Sequence, residues 1–99
     1  NAADFRLSQV RRKALLEIRN AYSRWLSARL KLEAFDLAAQ ASEKNYKLQA
    51  DDFQRSLVSN LDVLQSLEDL QSARRDLATA RRHAARCYWA AKVAAGGIE

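Results

Sequence analysis

An unbroken series of alternating three- and four-residue steps between small or apolar residues runs through the first half of the chain. It keeps one register for five heptads: Ile18, Ala21, Trp25, Ala28, Leu32, Phe35, Ala39, Ser42, Tyr46, Gln49 and Phe53. This is the spacing of a coiled-coil seam. Such a chain is restricted to a long helix that packs lengthwise against another helix.

The second half of the chain carries a similar seam, which predicts the partner helix. Its members are Val63, Leu67, Leu70, Ala73, Leu77, Ala80, Ala84, Cys87, Ala91 and Ala94. There is no proline, and both glycines stand together at Gly96 and Gly97. We therefore expect an all-α fold, a long antiparallel helical hairpin of the coiled-coil type. The expected parts form one hairpin unit without a second domain: first helix 1–55, tip turn 56–60, return helix 61–95 and a C-terminal stop at 96–99.

The predicted turn contains signals for the start of the return helix. Ser59 or Asn60 can cap that helix, and Ser59-x-x-Asp62 matches a capping box weakly. Asp62 in the first turn also suits the positive end of the helix dipole.

A second apolar stripe lies beside the first seam and predicts more than one neighbouring helix. It consists of Leu15, Tyr22, Leu26, Leu30, Leu37, Ala41 and Leu48. A hairpin supplies one neighbour, whereas two stripes require two. Folding about residue 58 also leaves apolar residues before about residue 20 without a partner in this chain. We therefore predict an assembly, with inter-helix packing through Leu26, Leu30, Leu37, Leu67, Leu70 and Leu77.

The formal net charge of +5 raises the question of nucleic-acid binding. The arginines on the return helix are Arg74, Arg75, Arg81, Arg82 and Arg86. Acidic Glu68, Asp69 and Asp76 share that helix, so we interpret the charges as a solvated face with ion pairs.

No residue pattern indicates catalysis, a cofactor or a metal site. His83 has no second ligand near it in the sequence, and Cys87 falls on the seam. Asp51 and Asp52 are adjacent and would point about 100° apart on a helix. We expect Trp25 and Tyr46 to pack in the seam and Trp89 to meet a neighbouring helix. The longest apolar run is far shorter than a membrane span.

The residues around the turn resemble a known protein family. The segments 53–65, 70–78, 80–81 and 92–97 resemble, in order and spacing, the second repeat of the TolC-type outer-membrane factor (outer membrane efflux protein) family. In that family an aromatic-x-x-Gly-Leu/Thr turn leads into a Leu-Asp-Val-Leu-type segment. A helix of the form Leu-x-x-Ala-x-x-x-Leu-x-x-Ala-Arg follows and ends in glycine.

The resemblance implies a non-enzymatic hairpin in the periplasmic α-barrel of a trimeric outer-membrane channel of a Gram-negative bacterium. Such channels serve tripartite efflux or type I secretion. The implied partners are two further copies of the parent protein, a periplasmic adaptor at the tip and, indirectly, an inner-membrane pump. Nucleic acid is not an implied partner, and this segment would lie in the periplasm rather than in the membrane. The family's β-strands and first hairpin are not in this sequence, so we expect a piece of a longer protein.

The resemblance also assigns residues to the tip. Phe53 matches the tip aromatic, Ser56 the turn glycine, Leu57 the residue after it and Asp62 the aspartate of the return helix. A serine in place of glycine argues against a left-handed turn at that residue. Val58 stands where some members have an entrance-gating arginine. The implied adaptor-docking residues are Phe53, Ser56, Leu57, Val58, Ser59, Asn60 and Asp62, with Leu57 and Val58 exposed at the apex.

Two other interpretations remain open. The chain could be the coiled-coil hairpin of the adaptor itself, which would require flanking lipoyl-type strands. It could also be a cytosolic helical module that binds nucleic acid or another coiled coil through the arginines.

Overall fold

The chain is an all-α helical hairpin in the computed structural model, which describes residues 1–96. Helix α1 spans Ala2–Gln54 (53 residues) and helix α2 spans Asn60–Gly96 (37 residues). No strand occurs among the described residues. The predicted fold class is therefore confirmed. Helix α1 ends one residue before its predicted end, and α2 begins one residue early and includes Gly96. The rest of the predicted stop, 97–99, lies outside the described residues.

The composition explains why each helix continues without a break. Proline is absent and the two glycines come only at the end, so nothing interrupts the backbone hydrogen bonds inside either helix. Neither described helix contains a segment apolar and long enough to cross a bilayer.

The chain divides into two compact units, each containing part of both helices. The terminal unit comprises Asn1–Leu30 together with α2 from Arg82 onward, and the tip unit comprises Lys31–Arg81. The buried residues of the terminal unit are Ala21, Ala28 and Ala84. Those of the tip unit are Ala39, Ser66, Leu70, Leu77 and Ala80. Small side chains thus dominate the contact between the helices, which lets the two backbones approach closely.

The predicted seam of α1 is buried or half-buried except at two phenylalanines. Phe35 and Phe53 are exposed. Phe35 lies between Leu32 and Ala39 on the seam and is only marginally exposed, at 36%. Phe53 lies in the last turn of α1, beside the loop rather than beside the body of α2.

The predicted seam of α2 is correct except near its start, where Ser66 rather than Leu67 is fully inside. Ser66 is buried and its hydroxyl donates to the Val63 carbonyl at 2.7 Å, while Leu67 is only half-buried. The seven-residue step from Val63 to Leu70 can pass through Leu67, as four plus three, or through Ser66, as three plus four. The helix buries Ser66, because its hydroxyl donates a hydrogen bond to the backbone and the side chain can therefore be buried at small cost.

Candidate interaction surfaces

The C-terminus of α1 is closed by a Schellman motif. The Leu57 N–H donates to the Asp52 carbonyl at 2.8 Å, and the Ser56 N–H donates to the Phe53 carbonyl at 3.0 Å. Ser56 has a φ of 61°, the left-handed conformation that this motif requires at the residue after the cap. The expectation that serine would prevent a left-handed turn here is wrong. The two backbone hydrogen bonds hold Ser56 in a conformation that glycine would adopt without strain.

The N-terminus of α2 is closed by the predicted capping box. The Ser59 hydroxyl accepts from the Asp62 N–H at 3.3 Å, and the Ser59 N–H donates to the Asp62 carboxylate at 3.2 Å. An aspartate thus replaces the usual glutamate or glutamine in the third helical position. Both ends of the turn are fixed by hydrogen bonds within the chain.

The apex carries exposed leucines that these caps do not use. Leu57 is 69% exposed and Leu61, in the first turn of α2, is 76% exposed. In a Schellman motif the residue in the position of Leu57 often packs on the last turn of its helix. Here the corresponding positions are Asp51 and Asp52, which offer Leu57 no apolar contact partner.

The remaining predicted tip residues are placed as follows. Phe53, Ser56, Ser59, Asn60 and Asp62 are exposed. Val58 is half-buried, so the expectation that it stands exposed at the apex beside Leu57 is wrong. A side chain in the middle of a turn closed at both ends is partly covered by the helix ends.

Sequence reasoning did not single out Leu61 and Leu64 as surface leucines. Both are exposed in the structure, Leu64 at 48%. Their positions, two residues before and one residue after Val63, are off the seam of α2. The seam register was the signal that could have identified them.

The second stripe of α1 is exposed along its whole length. Leu30 and Leu37 are each 66% exposed and Leu26 is also exposed. Of the other residues predicted to pack between helices, Leu70 and Leu77 are buried inside the hairpin and Leu67 is half-buried. Contact between Leu26, Leu30 or Leu37 and a neighbouring helix stays a prediction.

Four aromatic rings form a continuous row across the two helices of the terminal unit. Ring centroids are 5.6 Å apart for Tyr22 and Trp25, 5.8 Å for Trp25 and Tyr88, and 5.5 Å for Tyr88 and Trp89. The ammonium of Lys92 lies 5.6 Å from the Tyr88 ring and 5.7 Å from the Trp89 ring. We call Tyr22, Trp25, Tyr88, Trp89 and Lys92 the aromatic cluster.

The aromatic cluster was not predicted as a unit. Trp25 was expected in the seam and is half-buried there, but it also joins Tyr22 to Tyr88. Trp89 is 61% exposed, and its contact with a neighbouring helix stays a prediction. Pairing residues about the turn would have placed Tyr88 within one helical turn of the position opposite Trp25.

A second groove of the terminal unit is basic. It is lined by Ala21, Arg24, His83, Arg86, Cys87 and Ala90. The Cys87 Sγ lies 3.7 Å from the His83 Nε2. No group of three or more potential metal ligands occurs within the described part of the chain. The arginines Arg74, Arg75, Arg81, Arg82 and Arg86 are all exposed.

Comparisons with known proteins add nothing to these observations. Family models, curated proteins and solved structures show no significant match to this chain.

Proposed function

We propose that this chain is a non-enzymatic hairpin of the periplasmic α-barrel of a TolC-type outer-membrane channel. In this proposal three copies of the parent protein form an exit duct for efflux or type I secretion. The exposed stripe of α1 packs against neighbouring helices of the barrel. The tip forms the entrance and docks a periplasmic adaptor.

The observation that carries the proposal is the placement of small residues inside and large apolar residues outside. Five of the buried residues are alanines, and the only large apolar side chains buried among the described residues are Leu70 and Leu77. Leu30, Leu37 and Leu48 meanwhile lie exposed on one helix face. A contiguous apolar face of this kind is typical of a surface that another protein covers.

The tip supports a second contact that is separate from the stripe. Leu57 and Leu61 are exposed on a turn whose two ends are already closed by hydrogen bonds. They therefore contribute little to the hairpin itself, and a partner's helices are suitable recipients. Ser56 and Asn60 beside them can hydrogen-bond a partner at the rim.

The parent gene provides the first test. A signal peptide and an earlier copy of this hairpin are expected upstream. Lipoyl-type strands on both sides of the hairpin would instead identify the adaptor, and a cytosolic parent without an export signal would contradict both.

The second test compares two double variants of the full-length parent protein. Leu57→Ser with Leu61→Ser should leave trimer assembly intact and reduce both adaptor cross-linking and efflux. Leu30→Ser with Leu37→Ser should instead reduce trimer assembly. Because each variant exchanges two exposed leucines for serine, they are matched in chemistry. Normal efflux and adaptor cross-linking in a correctly assembled tip variant would contradict docking at the tip.

A further inference from the structure

The aromatic cluster lies in a part of the molecule that contains only positive charges. On α1 no acidic residue occurs between Glu17 and Glu33, and on α2, which ends at Gly96, none occurs after Asp76. Within these stretches the terminal unit carries Arg19, Arg24, Arg29, Arg82, Arg86 and Lys92. Such an arrangement creates a positive potential that attracts an extended anionic partner.

Exposed apolar side chains lie among these cations. Trp89 and Val93 are exposed on α2, and Tyr22 and Leu26 are exposed on α1. The same combination continues along α1, where Arg12, Leu15, Leu16 and Arg19 line a shallow recess. A purely electrostatic contact does not require exposed leucine and valine beside the arginines.

Lys92 brings a positive charge into contact with the exposed aromatic rings. Its ammonium lies over the Tyr88 and Trp89 rings at the edge of a groove lined by Tyr22, Trp25, Tyr88, Ala91, Lys92 and Ala95. The ammonium thus makes cation–π contacts with two rings of the cluster, which places a positive charge directly beside the exposed Trp89.

We propose that the aromatic cluster binds the surface of an anionic phospholipid membrane. Tyrosine and tryptophan favour the interfacial zone of a bilayer, and nearby lysines and arginines are attracted to anionic headgroups. The exposed Leu26 and Val93 would meet the region where headgroups join acyl chains. This inference is separate from the proposed channel function, but both use Tyr22 and Leu26 of the α1 stripe. Membrane binding requires these two side chains to be uncovered, whereas the barrel contact is tested at Leu30 and Leu37.

Nucleic acid fits this surface less well. Stacking on bases requires free ring faces, whereas the Trp25 ring lies 5.6 Å from the Tyr22 ring, 5.8 Å from the Tyr88 ring and 5.8 Å from the Arg29 guanidinium. An acidic protein helix would present a narrow row of carboxylates, whereas the cations here are spread over both helices of the unit.

Binding is tested with the whole chain and two kinds of vesicle. One kind mixes phosphatidylglycerol with phosphatidylcholine, and the other contains phosphatidylcholine alone. Both tryptophans of the sequence belong to the aromatic cluster, so their emission reports on the site directly. We expect a blue shift and co-sedimentation with the anionic vesicles only, and weaker binding at high salt.

Two double variants with the same net charge locate the binding site. Trp89→Ser with Lys92→Glu should lower the affinity for anionic vesicles by roughly tenfold or more. Leu48→Ser with Lys44→Glu removes an exposed apolar residue and reverses one charge in the tip unit, and should leave the affinity unchanged. Circular dichroism establishes that both variants keep the helical content of the original chain.

Three outcomes would overturn the inference. The first is equal loss in both variants, which would indicate net charge alone. The second is unchanged binding by the Trp89/Lys92 variant. The third is a blue shift with duplex DNA or polyglutamate but none with anionic vesicles, which would identify a different polyanion as the partner. None of these outcomes bears on stripe packing or tip docking, which are tested through leucines outside the aromatic cluster.

Discussion

Ser56 is the only non-glycine residue with a positive φ in the described backbone. A side chain in the left-handed region costs about 1–2 kcal/mol relative to glycine, because Cβ approaches the following carbonyl oxygen. The Schellman hydrogen bonds of Ser56 and Leu57 offset that cost. The family resemblance indicated the position of the turn, but the sequence did not predict its backbone conformation, since serine has no preference for this region.

Replacing Ser56 with glycine should therefore stabilise the hairpin. We expect a gain of up to about 1 kcal/mol in the free energy of unfolding, the relief of strain being partly cancelled by greater freedom in the unfolded chain. Ser72→Gly is the matched control, because Ser72 is exposed within α2 and the variant should lose about 0.5 kcal/mol. Urea denaturation measures both, and a loss in both variants would refute the strain at Ser56.

The capping box could be predicted from Ser59 and Asp62 because it depends only on local spacing. Its two hydrogen bonds join the same two residues, so the effects of removing them should be coupled. Ser59→Ala and Asp62→Ala should each lower the unfolding free energy by about 0.5–2 kcal/mol. The double variant should lose less than the sum. Strict additivity in urea denaturation would mean that the reciprocal bond does not form in solution.

At the scale of the helices, the seam could be predicted because period and composition determine which face is buried. The exceptions arise where size or hydrogen bonding outweighs hydrophobicity. Phe35 is a large side chain that remains 36% exposed on the seam, and Ser66 replaces Leu67 because its hydroxyl has a backbone acceptor. Periodicity specifies a face, but not which of two adjacent residues lies at its centre.

The close helix approach in the terminal unit should make Ala28 intolerant of larger side chains. Ala28 is 2% exposed, so Ala28→Leu must displace the opposite helix or adopt a strained rotamer. We expect a loss of about 1–3 kcal/mol in the free energy of unfolding. Ala38→Leu, at an exposed position of the same helix, should change it by less than about 0.5 kcal/mol. A tolerated leucine at position 28 would show that the helices are not closely packed there.

The seam of α1 contains one polar group with an unmet hydrogen bond. The Gln49 Oε1 atom is buried and accepts no hydrogen bond from the described residues. Gln49→Leu should therefore stabilise the hairpin by about 1–2 kcal/mol, through loss of a desolvated acceptor and gain of apolar burial. Gln71→Leu, on an exposed face of α2, should produce no comparable gain in urea denaturation. An equal gain in unfolding free energy at both positions would show that burial of Gln49 is not the cause.

For the whole molecule, the exposed area is large for the mass of the chain. The chain exposes 7979 Å², whereas a compact monomer of its 11.2 kDa mass would expose about 5,700 Å². The difference of about 2,300 Å² is expected for two helices that enclose no thick core, and it leaves apolar side chains such as Leu30 and Leu37 uncovered.

Two properties of the surface differed in how far they could be predicted. The exposed stripe was predicted because two apolar stripes exceed what one hairpin can cover. The excess of basic residues in the terminal unit was not predicted, because the net charge of the chain is a sum over both units. The described residues of the terminal unit include ten basic and only two acidic residues.

The isolated chain should self-associate through the α1 stripe. Leu30 and Leu37 lie seven residues apart on that stripe and are both exposed, so a second copy can cover both at once. Burial of a leucine contributes about 1.5–3 kcal/mol. Leu30→Ser with Leu37→Ser should therefore weaken association by at least roughly 100-fold. Leu57→Ser with Leu61→Ser removes the same number of exposed leucines from the tip and should leave association unchanged. Sedimentation velocity over a range of concentrations distinguishes the two variants. A wild-type chain that remains monomeric at high concentration would contradict self-association. Equal weakening in both variants would show that the stripe is not the site of association.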